Sequence, residues 1–287
     1  MKLPCWDSSY PDRRVLKAEV ESMVQAIVEA LLQEVPESEI AGIYLKGSAK
    51  KEWDSPLDYV PELSDVDVHV LFRDESVLSA RVGTVEQALR LQGAMEAKYR
   101  CRQPDPVHVP RPQIIVLNRL MADEDFVPSP PETIEVLHGK PYPKLDLSNP
   151  DRIRSIDCKR LLEEEQHIAA WPLRIIDKPC RYLWEGLRGL VWQVSPIGPR
   201  VAHLLGAITE EAWSGNRTHI IRRLQALGEN ELADDYVRFY LAGWGYFLSG
   251  YADTEAGRLA FLSGVNVIRR GVQIARSWQA EHSTEKG

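Results

Sequence analysis

Two hydrophobic periods share this chain, a mixture of 3.6 and 2 up to about residue 150 and 3.6 alone beyond it. Residues 12–34 carry Val15, Ala18, Ser22, Ile27, Ala30 and Leu31 near helical spacing and leave Arg13, Lys17, Glu21 and Glu29 for solvent, which predicts a helix that Pro36 ends. Residues 40–46 form a short apolar run and predict a strand; Gly47-Ser48 follows as a turn placed where a helix could begin. Residues 50–64 combine Pro56 and Pro61 with Trp53, Asp54, Leu57, Asp58 and Tyr59 and predict a structured loop. A second strand is expected at residues 66–72. A second helix is expected at residues 84–99, capped by Thr84, with Val85, Ala88, Leu89, Leu91 and Met95 as its apolar set. Pro104, Pro106, Pro110 and Pro112 punctuate an extended stretch whose uninterrupted run is Gln113 to Leu117, so a third strand starts near Pro112.

Prolines 128, 130, 131, 141, 143 and 150 then mark a surface linker. After it the alternation of strands is gone. Helices are expected at residues 151–170, 173–194, 199–205, 219–227, 231–248 and 255–281, separated by Pro172, Pro196, Gly206, Gly228 and Gly250, with a frayed tail from His282 to Gly287. The expected fold class is therefore α+β: a small mixed β-sheet domain at residues 1–145 and an α-helical bundle at residues 146–287.

Composition narrows the function more than the fold. The 287 residues include 44% hydrophobic side chains, enough for two cores, and the formal net charge is −7. That balance disfavours a nucleic-acid-coating surface and suits a cationic or metal-nucleotide ligand. Cys5, Cys101, Cys158 and Cys180 are scattered, with neither a CxxC pair nor clustered histidines, so buried reduced thiols are expected. The first residues lack a signal-peptide pattern and no apolar run reaches membrane-spanning length, so no membrane association is expected and the cytoplasm is the expected location.

The chemistry is concentrated in Ser64-Asp65-Val66-Asp67-Val68-His69-Val70. Strand alternation points Asp65 and Asp67 the same way while Val66, Val68 and Val70 form the apolar face. Two like charges side by side call for a counter-charge, and a divalent metal carrying phosphate is the common one. A plain strand edge guarded by paired acids is the structural alternative.

Leu45-Lys46-Gly47-Ser48 joined to Ser64-Asp65-Val66-Asp67-Val68 resembles the DNA polymerase β-like nucleotidyltransferases, nearest in layout to the two-domain aminoglycoside nucleotidyltransferases. Leu137-His138-Gly139-Lys140-Pro141 is similar to a turn that closes the domain in antibiotic-modifying members, while the loop between the two motifs is longer here than the family's usual one. The resemblance implies a nucleotidyltransferase domain in the first half. Backbone N–H groups at Gly47 and Ser48 would meet the phosphates of an NTP such as ATP, with a helix N-terminus behind them. Asp65 and Asp67 would hold Mg²⁺, and Lys46, Lys50 and Lys51 would assist unless they are simply solvated. A nucleoside monophosphate would then pass to a hydroxyl of a small, aminoglycoside-like acceptor.

The chain departs from the family at the third strand, where active members carry a third carboxylate and this sequence offers Gln113. An amide cannot take a proton near neutral pH. Either another acid substitutes, from Asp105, Asp123 or the Glu163-Glu164-Glu165 cluster with Glu164 as the candidate base, or the chain is a catalytically degenerate nucleotide-binding, antitoxin or regulatory module. A solvated helix face is the plain reading of the glutamates. In the helical half the aromatics Trp171, Trp184, Trp192, Trp213, Trp244, Tyr236, Tyr240 and Tyr246 interleave with arginines in a way that could stack bases and bind phosphates, but most of them are expected in the core; His167 and His203 are expected to be structural, and the Asn216-Arg217-Thr218 turn is a further candidate for ligand contact.

Overall fold

The computed structural model describes residues 3–283; Met1, Lys2 and the tail after Ser283 lie outside them. The chain begins with helix α1 (Arg13–Glu34), capped by the Asp12 carboxylate accepting from Arg14 N, then strand β1 (Ile40–Lys46). Strand β2 (Asp65–Phe72) follows a three-residue 3₁₀ turn at Gly47–Ala49 and the loop beyond it. Helices α2 (Ser76–Val82) and α3 (Val85–Arg102) lead to strand β3 (Arg111–Val116), helix α4 (Leu117–Met121) and strand β4 (Glu135–Gly139). Seven helices complete the chain: α5 (Pro150–Ile175), α6 (Leu183–Val194), α7 (Ile197–Leu204), α8 (Thr209–Ser214), α9 (Arg217–Ala226), α10 (Asn230–Leu248) and α11 (Thr254–Ser283). A small mixed sheet with many helices is an α+β architecture.

Two compact units divide these elements. The sheet unit comprises residues 6–52 and 64–145. Its four strands run in the order β3-β2-β1-β4, with β1 antiparallel to both neighbours and β3 parallel to β2. A parallel pair needs a crossover, and α2 and α3 supply it. Val66, Val68 and Val70 are fully buried, and α1 packs on β2 and α3. The alternation is real because apolar side chains on one face of β2 have a helix to bury against.

Several expectations need correction. The face that α1 buries is centred on Leu16, Val20, Met23 and Ile27, whereas Val15 is exposed. On α3 the core residues are Leu91, Met95 and Tyr99, while Val85 and Leu89 face solvent. Part of the proline-marked linker is strand: β4 lies in the gap between Pro131 and Pro141, where every residue keeps its N–H. Pro112 sits within β3, which is tolerated because β3 is an edge strand. The Gly47-Ser48 pair lies within a single 3₁₀ turn, Gly47–Ala49, and no helix begins there, so it carries no macrodipole of note.

The helical unit comprises residues 3–5, 53–63 and 146–283. Helix α11 packs on α5, α6, α7 and α10. Its core includes Trp171, Trp184, Tyr236, Tyr240, Trp244 and Tyr246, all buried as expected; Trp192 is exposed. Pro172 lies inside α5 instead of ending it, and the stretch expected to be helical from residue 173 onward gives way to a short 3₁₀ turn at Cys180–Tyr182 before α6 starts. Helix α8 was not expected. All four cysteines are free, but only Cys158 is buried. His282, expected in the frayed tail, belongs to α11 and stacks on Trp278 at 4.1 Å. No helix among the described residues is long and apolar enough to cross a membrane.

The loop at residues 53–63 is part of the helical unit, and buried polar groups hold it there. Asp58 accepts hydrogen bonds from Ser55 N at 2.9 Å, Thr218 N at 2.8 Å and the Thr218 hydroxyl at 2.8 Å. Asn216 donates to Asp54 at 2.8 Å, Arg217 to the Leu57 carbonyl at 2.9 Å and Trp244 Nε1 to the Pro56 carbonyl at 2.8 Å. The Asn216-Arg217-Thr218 turn therefore receives a loop of its own unit, with the Arg217 guanidinium also 4.0 Å from the centre of the Tyr240 ring.

Candidate functional site

The second face of the sheet is polar, and strand register assembles it. In β2, Asp65, Asp67 and His69 share that face by alternation. Antiparallel pairing sets Lys46 opposite Asp67 and Tyr44 opposite His69, while parallel pairing sets Arg111 beside Asp65 and Gln113 beside Asp67. Residues far apart in sequence are thereby neighbours on one surface.

Gly47 closes β1 with φ of 75°, a left-handed conformation that glycine adopts without penalty. A Cβ there would stand 2.0 Å from Asp67 Oδ2, so the carboxylate lies directly on the backbone of the turn. The backbone N–H groups of Lys50 and Lys51 both reach the Gly47 carbonyl at 3.2 Å and tighten the turn. Gly47 and Asp67 are thus brought together, with Ser48 in the same 3₁₀ turn as Gly47, and Lys50 contributes its backbone to that turn.

Each acid has a cation beside it. Arg111 grips Asp65 with both arms of its guanidinium: Nε–H donates to Oδ1 at 2.5 Å and a terminal N–H donates to Oδ2. Lys46 Nζ donates to the Ser129 hydroxyl at 2.9 Å; burial pushes its ammonium below the ordinary lysine range and the charge of Asp67 partly offsets this. The counter-charge expected from a metal is present here as protein side chains.

The segment after β4 covers part of this face. Tyr142 hydrogen-bonds His69 Nδ1 through its hydroxyl at 2.9 Å and stands edge-on to Tyr44, ring centroids 5.1 Å apart; the Tyr44 hydroxyl points at the Pro141 carbonyl 3.5 Å away. His69 is pushed down to about 3 by burial, with the positive charge of Lys46 adding to the effect, and is neutral at physiological pH. Burial likewise pushes the Tyr142 phenol up.

The acids proposed to substitute for a third carboxylate each have surroundings of their own. Asp105 is exposed in the loop before β3, and exposed Asp123 accepts from Asp125 N at 2.9 Å in the turn after α4. In the helical unit Glu163 pairs with Arg160, Glu164 hydrogen-bonds His167 at 2.9 Å and Glu165 pairs with Arg276. His203, fully buried, links Asp157 at 2.7 Å to the Thr209 hydroxyl at 3.0 Å, a structural chain as expected of that histidine. Among the described residues no three His, Cys, Asp or Glu side chains form a metal-holding group. Asp65 and Asp67 nevertheless suit Mg²⁺, which prefers oxygen donors and is commonly held by one or two carboxylates with phosphates and water completing its shell.

Sequence reasoning missed Arg111. Its signal was the same period of 2: Arg111 and Gln113 share a face of β3, so the strand that offers Gln113 also offers a cation. Comparison with protein-family models, curated proteins and solved structures finds no match to this chain.

Proposed function

We propose that the polar face of the sheet unit is a nucleotidyltransferase-type site that binds a nucleoside triphosphate with Mg²⁺ and transfers a nucleoside monophosphate to a hydroxyl of a small molecule. The observation that carries this is the Gly47 turn, left-handed and pressed against the Asp67 carboxylate, in antiparallel register with the strand that bears Asp65. Such a turn lets phosphate oxygens approach the backbone, while the two acids hold the accompanying cation. Mg²⁺ bound there supplies charge neutralisation for the phosphates. Lys46 and Arg111 add fixed positive charge to the same face, and His69, neutral and held by Tyr142, braces the strand beneath it.

A second reading has its own observation. Gln113, an amide, stands beside Asp67 at the strand where the resemblance calls for a third carboxylate, and Arg111 occupies Asp65, so a degenerate member that binds nucleotide without transfer is the alternative. Incubation with labelled ATP, Mg²⁺ and a panel of aminoglycosides separates the two. Labelled acceptor and pyrophosphate formed by the wild type, and by neither Asp65→Asn nor Asp67→Asn, support the transferase. Saturable ATP binding with no product across the panel supports the degenerate protein, and absence of ATP binding removes both.

A further inference from the structure

The ion pair on Asp65 differs from an ordinary surface bridge in its geometry and in its depth. Both carboxylate oxygens are taken by one guanidinium fork, and the Asp65 side chain is only 6% exposed while that of Arg111 is 27% exposed. The cation lies on the solvent side of the acid. A divalent ion approaching Asp65 therefore competes with the guanidinium for the same two oxygens and would sit beside a cation that cannot lose its charge. Asp67 on the same face is flanked by Lys46, so the surroundings already balance both acids. Bare metal would add unbalanced positive charge, whereas a polyphosphate brings its own anionic oxygens and offers the guanidinium a bidentate partner as good as the carboxylate it leaves.

We infer that Arg111 is a clasp that keeps divalent cations off Asp65 until nucleotide phosphates draw its guanidinium away, so that metal and nucleotide enter the site together. The inference rests on the nucleotide site proposed above and assigns Arg111 as its positioning residue. It gives Gln113 a consistent place, since an amide beside Asp67 adds no third negative charge to attract bare metal.

Mn²⁺ as a paramagnetic probe of the full chain tests this without turnover. In the absence of nucleotide, Arg111→Gln is expected to bind Mn²⁺ at least about ten-fold more tightly than wild type, the equivalent of about 1.4 kcal/mol. Arg111→Lys, which keeps the charge but loses the fork, is expected between them. Mn²⁺ should also raise the melting temperature of Arg111→Gln more than that of the wild type, because binding to the folded state alone stabilises it. A measurement on the wild type guards against unfolding of the variants: the Arg111 Nε–H resonance should be unmoved by millimolar Mg²⁺ and shifted by Mg²⁺ with ATP. Equal Mn²⁺ affinity in wild type and Arg111→Gln, or an Nε–H resonance that bare Mg²⁺ shifts, overturns the clasp and leaves the nucleotide site standing. No Mn²⁺ binding by either protein, with or without ATP, overturns the site and the clasp together.

Discussion

Asp58 and Asp65 are both nearly buried carboxylates, yet they are satisfied in opposite ways. Asp58, in the helical unit, spends its oxygens on two backbone N–H groups and a threonine hydroxyl, with burial raising its pKa and these bonds opposing the rise. Asp65, in the sheet unit, has both oxygens gripped by a flexible side chain that is itself 27% exposed. Donors fixed by the backbone cannot be exchanged for a ligand, whereas a side-chain cation can swing away. The first arrangement cements a loop into a helical core; the second suits a group that changes partners. Burial alone does not distinguish these two carboxylates, and the identity of the donors does.

The largest effect should come from breaking the fixed network. Asp58→Ala strands the buried N–H groups of Ser55 and Thr218, each costing about 1–3 kcal/mol, so urea unfolding should show a loss of roughly 3 kcal/mol or more, with no rescue by nucleotide. Arg111→Gln should cost somewhat less, about 2–3 kcal/mol, since the guanidinium is partly solvated, and Asp65→Asn added to it should recover most of the loss by removing the stranded charge. If the double variant is no better than the single, Asp65 is held by more than its ion pair. Gly47→Ala should lose about 1–2 kcal/mol from its left-handed backbone and, by pushing Asp67 aside, abolish ATP binding.

A titration sharpens the contrast from another side. His69 loses its proton more readily folded than unfolded, so the stability it lends is complete above pH 6.5 and is lost as the pH falls from 6.5 towards about 3. The slope should not exceed roughly 1.4 kcal/mol per pH unit. His69→Gln should flatten this acid limb, and an unchanged limb in acid unfolding would show that another group controls it. Smallest is Tyr142→Phe, which removes one hydroxyl from His69 and should cost about 1 kcal/mol in the same unfolding assay.

What could be read from the residues was local. The runs at β1 and β2, the shared face of Asp65 and Asp67 and the apolar face of Val66, Val68 and Val70 follow from a period of 2 that needs no partner to be visible. The pairing of Arg111 with Asp65 depends on a parallel register reached through α2 and α3, and no local pattern encodes which residue of β3 stands beside which residue of β2. Pro172 misled because a proline removes one helical hydrogen bond without forbidding the helix, and α5 has enough core contacts through Ile153, Leu161 and Trp171 to continue past it. The loop at residues 53–63 could be recognised as structured from its aromatics and prolines; its buried bonds to Thr218 are long-range and carry no sequence signal.

The most direct measurement is equilibrium binding of a fluorescent ATP analogue, with and without Mg²⁺, to wild type and to Asp67→Asn. Saturable binding by the wild type that requires Mg²⁺ and weakens at least about ten-fold in Asp67→Asn is the expected result. Binding that is absent, or equal in the two proteins, would contradict a nucleotide site built on the Gly47 turn and the Asp65–Asp67 pair.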